Sequence, residues 1–83
     1  IHIGATPPSY TPKLRKLIKI HSPNLFICGH THILRVVKDN AKLVYINPGA
    51  AGHHGSHHTR TIMLMTLEDG RISHLEVKEL GKR

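Results

Sequence analysis

Two histidines one residue apart, in Cys28-Gly29-His30-Thr31-His32, stand between the apolar runs Leu25 to Ile27 and Ile33-Leu34. Imidazole binds divalent transition metals and can carry a proton near neutral pH. On an extended chain, residues i and i+2 point to the same side and lie roughly 6.5–7 Å apart. That spacing suits two ions roughly 3.5–4 Å apart, one histidine on each, better than a grip on one ion. Gly29 removes a side chain beside the pair and is expected to let the backbone turn sharply, with Thr31 facing the other way. The bland alternative is a pair of ordinary strand-end histidines, since a chain with nine histidines produces H-x-H by chance and the motif needs its structural context.

The elements that must position the pair lie on both sides of it. Ile1-His2-Ile3 reads as the end of a strand, and Gly4 to Tyr10 as a loop interrupted by Pro7 and Pro8. Thr11-Pro12 reads as an N-cap followed by proline at the first helical position. Leu14, Leu17 and Ile18 share one face of the helix that follows, with Lys13, Arg15, Lys16 and Lys19 on the rest. Ser22-Pro23-Asn24 ends it. Leu25 to Cys28 is short and apolar, as expected of an interior strand in an α/β sheet. A loop at the carboxyl end of such a strand is where α/β proteins build active sites.

Further on, Ile33 to Val37 and Leu43 to Ile46 predict a hairpin around Lys38-Asp39-Asn40-Ala41. The glycine-rich stretch from Asn47 to Gly52 runs into His53-His54-Gly55-Ser56-His57-His58. Thr61 to Leu67 and Arg71 to Val77 predict a second hairpin around Glu68-Asp69-Gly70, whose Asp-Gly step suits a tight turn. The tail Gly81-Lys82-Arg83 is expected to fray. Neither a repeat nor a linker divides the chain, which reads as one unit or part of one.

With 83 residues, no tryptophan, one Phe and two Tyr, any core must come from Ile, Leu, Val and Met and is near the lower size limit. No apolar run reaches the about 18 residues of a membrane span, and no signal-peptide pattern opens the sequence, so a cytoplasmic protein is expected. The single cysteine, Cys28, agrees with a reducing compartment. Twelve basic residues against five acidic ones give a formal charge of +7, which suggests a polyanionic partner. The lysines of the first helix nevertheless read as its solvated face. No aromatics interleave with them, so nucleic acid is not the expected partner.

Taken in order, His2 and Gly4 at a strand end, Gly29-His30-Thr31-His32 after an apolar strand, and Asn47-Pro48-Gly49 after a hairpin form a specific trio. The trio resembles the carboxyl-terminal half of the calcineurin-like metallophosphoesterase superfamily. The resemblance is nearest to its compact branch of small bacterial and archaeal phosphodiesterases, to which the eukaryotic retromer scaffold subunit is related. It implies an α/β fold, a metallophosphoesterase β-sandwich flanked by helices, with two divalent ions at the carboxyl ends of strands. It also implies that His2 and His30 ligate one ion and His32 its neighbour, with Gly29, Asn47 and Gly49 positioning the site.

This sequence departs from the family pattern in two ways. Ile3 separates His2 from Gly4 where the family has His-Gly, and the family's amino-terminal motifs, Asp-x-His, Gly-Asp and Gly-Asn, have no counterpart. The aspartates here are Asp39 and Asp69, both in expected turns. Residues 1–83 are therefore expected to be the carboxyl-terminal part of a single domain, inactive without the other half.

The implied activity is hydrolysis of phosphate esters, phosphodiesters first, by water activated between two metals. Imidazole ligands favour transition metals over magnesium, manganese first, with iron, nickel or zinc as alternatives. The competing expectation is a non-catalytic, protein-binding scaffold of the same fold, against which the retained histidines argue. Arg60 resembles a basic residue that often follows the family's Asn-Pro-Gly loop. His53 to His58 are expected to form a solvated loop open to adventitious nickel or zinc. His21 reads as a helix-end residue, His74 as an exposed strand residue, and Cys28 as a small buried thiol rather than a nucleophile.

Overall fold

The structure, a computed structural model, describes residues 2, 7, 9–38 and 43–83. Ile1 and Ile3 of the expected strand end, Gly4 to Thr6 and Pro8 of the proline loop, and Asp39 to Lys42 of the first hairpin turn lie outside the described residues. Helix α1 (Pro12–His21) begins where the sequence places it: Thr11 Oγ1 accepts from Leu14 N at 3.3 Å, and Pro12 occupies the first turn, where its missing N–H costs nothing. It ends at Ser22, which is left-handed (φ 46°) and donates its N–H to Ile18 O at 2.8 Å, before Pro23 prevents continuation. Leu14 is its buried residue, and Lys13, Lys16 and Lys19 are exposed as the solvated face.

Strands β1 (Leu25–Ile27), β2 (Leu34–Lys38) and β3 (Val44–Pro48) form one sheet in the order β1-β3-β2. The expected hairpin is present, with β2 antiparallel to β3 from Leu34↔Pro48 to Lys38↔Val44. The expected interior strand is not interior among the described residues. β1 flanks β3, to which it runs parallel, and Ile27 is 44% exposed. An apolar run of three residues carries no signal that separates a flanking strand from a central one. The middle position goes to β3, whose Tyr45, Ile46 and Asn47 point to both faces and are all buried.

The core is a compact cluster of Leu14, Phe26, Cys28, Leu43 and Tyr45, with Tyr10, Ile18 and Val37 packed against it. Phe26 stacks edge-on to Tyr45 with ring centroids 5.7 Å apart and meets Tyr10 at 5.9 Å. Phe26 and Tyr45, the buried two of the chain's three aromatics, thus anchor the helix side of the sheet, each burying area worth about 1.5–3 kcal/mol. The Tyr45 hydroxyl is pushed above its ordinary pKa, first by burial and then by the neighbouring Cys28 thiol.

β4 (Thr59–Glu68) and β5 (Arg71–Lys82) form a separate antiparallel hairpin. Asp69 (φ 49°) and Gly70 (φ 76°) are both left-handed, which is what a two-residue turn matched to strand twist requires. The tail does not fray. Thr59 pairs with Lys82 and Arg60 with Gly81, and Arg83 donates its backbone N–H to His58 O at 3.0 Å and its Nε to His57 O at 2.6 Å. Arg60 adds three guanidinium bonds to the carbonyls of Ala51, Leu80 and Lys82, so the last strand is held by side chains remote in sequence. The hairpin joins the sheet through Thr61, whose N–H reaches Ala50 O and whose hydroxyl donates to Pro48 O at 2.8 Å.

Candidate metal centre

Both chemically active loops leave the same end of the three-stranded sheet: residues 29–33 follow β1, and residues 49–58 follow its parallel neighbour β3. Backbone contacts bring His2 to this end. Gly29 N donates to His2 O at 3.0 Å, and the Cys28 thiol donates to the same carbonyl at 3.4 Å. The His2 and His30 rings then meet edge-on with centroids 5.2 Å apart and with His2 Nε2 3.3 Å from His30 Nδ1.

The histidine pair does not lie on an extended strand. His30 (φ 76°) and His32 (φ 64°) are both left-handed, a conformation uncommon for side chains with a Cβ and one that costs about 1–2 kcal/mol per residue. The sharp turn therefore belongs to the histidines and not to Gly29, where an added Cβ would meet His2 Nδ1 at an ordinary 3.5 Å. The two left-handed residues send their side chains to different neighbours: His30 to His2, and His32 to His57, whose ring centroid is 5.3 Å away at 86°.

Asn47 holds this strained loop. It is 1% exposed, and its Nδ2 donates to Gly29 O at 3.1 Å and to Thr31 Oγ1 at 2.9 Å, while its Oδ1 accepts from Gly49 N at 3.1 Å. One buried amide thus ties the Gly-His-Thr-His loop to the Asn-Pro-Gly turn. The Thr31 hydroxyl faces Asn47. Gly49 (φ 80°) is required by contact as well as by backbone angle, because a Cβ there would collide with Thr61 Oγ1. Thr61 was not legible as a site residue. Its partner is a carbonyl 13 residues away.

The loop from His53 to His58 departs from expectation at one residue. His53, His54 and His58 are exposed, but His57 is 2% exposed, with its Nε2–H donating to Gly52 O at 2.9 Å. Its other ring nitrogen, Nδ1, is buried without a hydrogen-bond partner among the described residues. His21 is exposed at the helix end, His74 lies exposed beside Glu76 at 3.6 Å, and Cys28 is a buried free thiol, all as read from the sequence. A cleft lined in part by Asn24, Lys38, Leu67 and Gly70 lies at the opposite end of the sheet and shares no residue with the histidines. Its lining carries no histidine, so it does not compete for the chemistry.

The sequence model of the calcineurin-like phosphoesterase superfamily domain matches residues 1–70. The chain belongs to that superfamily. Among solved structures, this phosphoesterase-superfamily chain is similar to wild-type Vps29 of Entamoeba histolytica complexed with zinc, at 18% identity and a TM-score of 0.59. The match covers 98% of this chain and 58% of that one. It is also similar to vacuolar protein sorting 29 of Cryptosporidium parvum, at 24% identity and a TM-score of 0.45, over 90% of this chain and 47% of that one. No curated protein matches. The mixed α/β fold is that of the superfamily, and no helix among the described residues is long and apolar enough to cross a membrane.

Superfamily members generally bind divalent metals, and the donor set here can be tested for fit. Two nitrogens held at about 2.0–2.1 Å by one tetrahedral ion lie about 3.3–3.4 Å apart. His2 Nε2 and His30 Nδ1 stand at that separation, which is long for a hydrogen bond. Among the described residues no three His, Cys, Asp or Glu side chains converge, and Asp69 is spent in the β4–β5 turn. The separation of these two imidazole nitrogens fits a shared metal ion.

Proposed function

We propose that this chain is the histidine-bearing, carboxyl-terminal part of a metal-dependent phosphoesterase, acting first on phosphodiesters. The observation that carries the reading is the facing of His2 Nε2 and His30 Nδ1 at 3.3 Å, with His32 turned to a separate position by its own left-handed backbone. In this reading His2 and His30 hold one ion and His32 its neighbour. When bound, the ions supply Lewis acidity to a phosphate ester and to the attacking water. The chain's own part is positional: Asn47 fixes Gly29 and Thr31, so that the two histidines flanking Thr31 keep their divergent aims. Imidazole donors suit manganese, iron, nickel or zinc better than magnesium.

The remaining ligands and part of the fold come, in this reading, from a preceding segment in the same cytoplasmic protein. The chain spans 58% of the Entamoeba Vps29 structure. Its accessible surface of 5860 Å² exceeds the about 5,000 Å² typical of a compact 9.3 kDa monomer. Ile27, Ile33, Leu64 and Leu67 are among the apolar side chains left exposed. Those same side chains favour a second reading, a protein-binding scaffold of this fold without catalysis.

The deciding experiment is hydrolysis of aryl phosphodiesters and monoesters by the intact protein with manganese or zinc. Turnover that disappears in His30→Ala supports the enzyme. Tight metal binding without turnover of any ester leaves the scaffold.

A further inference from the structure

We propose that His57 is a metal ligand: its Nδ1 and the Nδ1 of His32, neighbours beside Gly55, together grip one divalent transition-metal ion. This rests on the reading of His32 as a ligand and adds a residue to it.

Three independent observations converge on the one spot. First, His57 is fully enclosed, at 2% exposure, yet its Nδ1 has no hydrogen-bond partner among the described residues. Buried polar atoms are rarely left unmet, and each exception asks for an explanation such as an ion. Second, the tautomer is dictated. The carbonyl of Gly52 can only accept, so the proton of the neutral ring sits on Nε2 and the lone pair on Nδ1. A ligating histidine in metalloproteins shows the same arrangement, with one nitrogen donating to a backbone carbonyl and the other presented to the metal.

Third, the two nitrogens are neighbours. A Cβ built on Gly55 would collide with His32 Nδ1 and stand 2.9 Å from His57 Nδ1, so both nitrogens lie beside that glycine, on the side its missing side chain would occupy. Gly55 also has φ 138°, which side-chain-bearing residues rarely adopt. The rings meet nearly perpendicular, at 86°, a geometry in which two lone pairs can converge without the rings clashing. The loop is clamped from outside as well, by Arg83 Nε on His57 O and by Arg60 on Ala51 O, which fixes the approach of His57 before any ion arrives.

The test is zinc or cobalt titration of the intact protein, counting ions per chain, with the nitrogen NMR signal of His57 Nδ1 followed in parallel. The expected result is a large shift of that signal on binding, and in His57→Gln a loss of affinity for one ion of at least about 10–100-fold, the range for a disturbed metal-supporting histidine. The ion lost in His30→Ala should bind His57→Gln unchanged. Gly55→Ala, whose methyl would push the His32 ring away from His57, should lose the same ion as His57→Gln. An ion that binds while the His57 Nδ1 signal of the unaltered protein stays put overturns this inference alone, and that readout holds even if the variants do not fold. A protein that binds no ion overturns both this inference and the metal-centre reading beneath it.

Discussion

The two imidazole pairs, His2 with His30 and His32 with His57, have similar ring geometry, with centroids 5.2 and 5.3 Å apart and interplanar angles of 81° and 86°. Their supports differ. The first pair is exposed and is set by the sheet: His2 is placed by the bond from Gly29 N beside the end of β1. The second is carried by a loop, its inner member buried and its tautomer set by a single carbonyl. The lesson is that pairs of equal appearance can depend on different parts of the chain. Perturbing the sheet end should move the first, and perturbing the loop after β3 should move the second.

The largest expected effect is at the pairs themselves. His30→Ala should weaken one ion by more than about 100-fold, because loss of mere supporting partners already costs about 10–100-fold. The ion at His32 should be spared, as read by equilibrium dialysis. Loss of both ions together would erase the distinction between the pairs.

Next comes Asn47→Ala, which strands the Gly29 carbonyl, the Thr31 hydroxyl and the Gly49 N–H in a partly buried setting. It should destabilise the intact protein by about 2–4 kcal/mol in chemical denaturation. It should also lower affinity at both pairs, since it ties both loops together.

Gly49→Ala separates them. The added Cβ meets Thr61 Oγ1 at a left-handed position, for an expected loss of about 2–3 kcal/mol. Its effect on metal affinity should fall mainly on the His32 side. Gly52→Ala, with open space around the new methyl, is the matched control and should be near neutral.

The smallest effect is expected at Tyr45, which touches neither pair. A hydroxyl whose folded pKa is raised above its ordinary value of about 10 stabilises the fold fully below that pH, and the contribution is lost as pH rises through the higher folded pKa. Tyr45→Phe should therefore flatten the alkaline limb of the stability curve above about pH 10 without changing metal affinity.

Much of this was legible in the residues. The cap at Thr11-Pro12, the Asp69-Gly70 turn and the β2–β3 hairpin depend on neighbours close in sequence, so local rules suffice. The family trio named His2, His30 and His32, and the structure brings the first two into contact at one end of the sheet. The geometric premise of an extended histidine pair was mistaken. Left-handed backbone at two histidines is strain held by Asn47, 15 or more residues distant, and no local pattern announces it. The tail went astray for the same reason, since its pairing partners are Thr59 and Arg60.

By itself, then, the sequence determined which residue types could meet a metal and in what order the chain delivers them, because motif, cap and turn are short-range properties. Only the tertiary structure decided that His57 is buried while His53, His54 and His58 are not, and which of its nitrogens carries the lone pair. Burial and tautomer are set by what packs around a ring. Here that is the carbonyl of Gly52, the side chain of His32 and the end of β5, brought together only when the hairpin closes on the sheet.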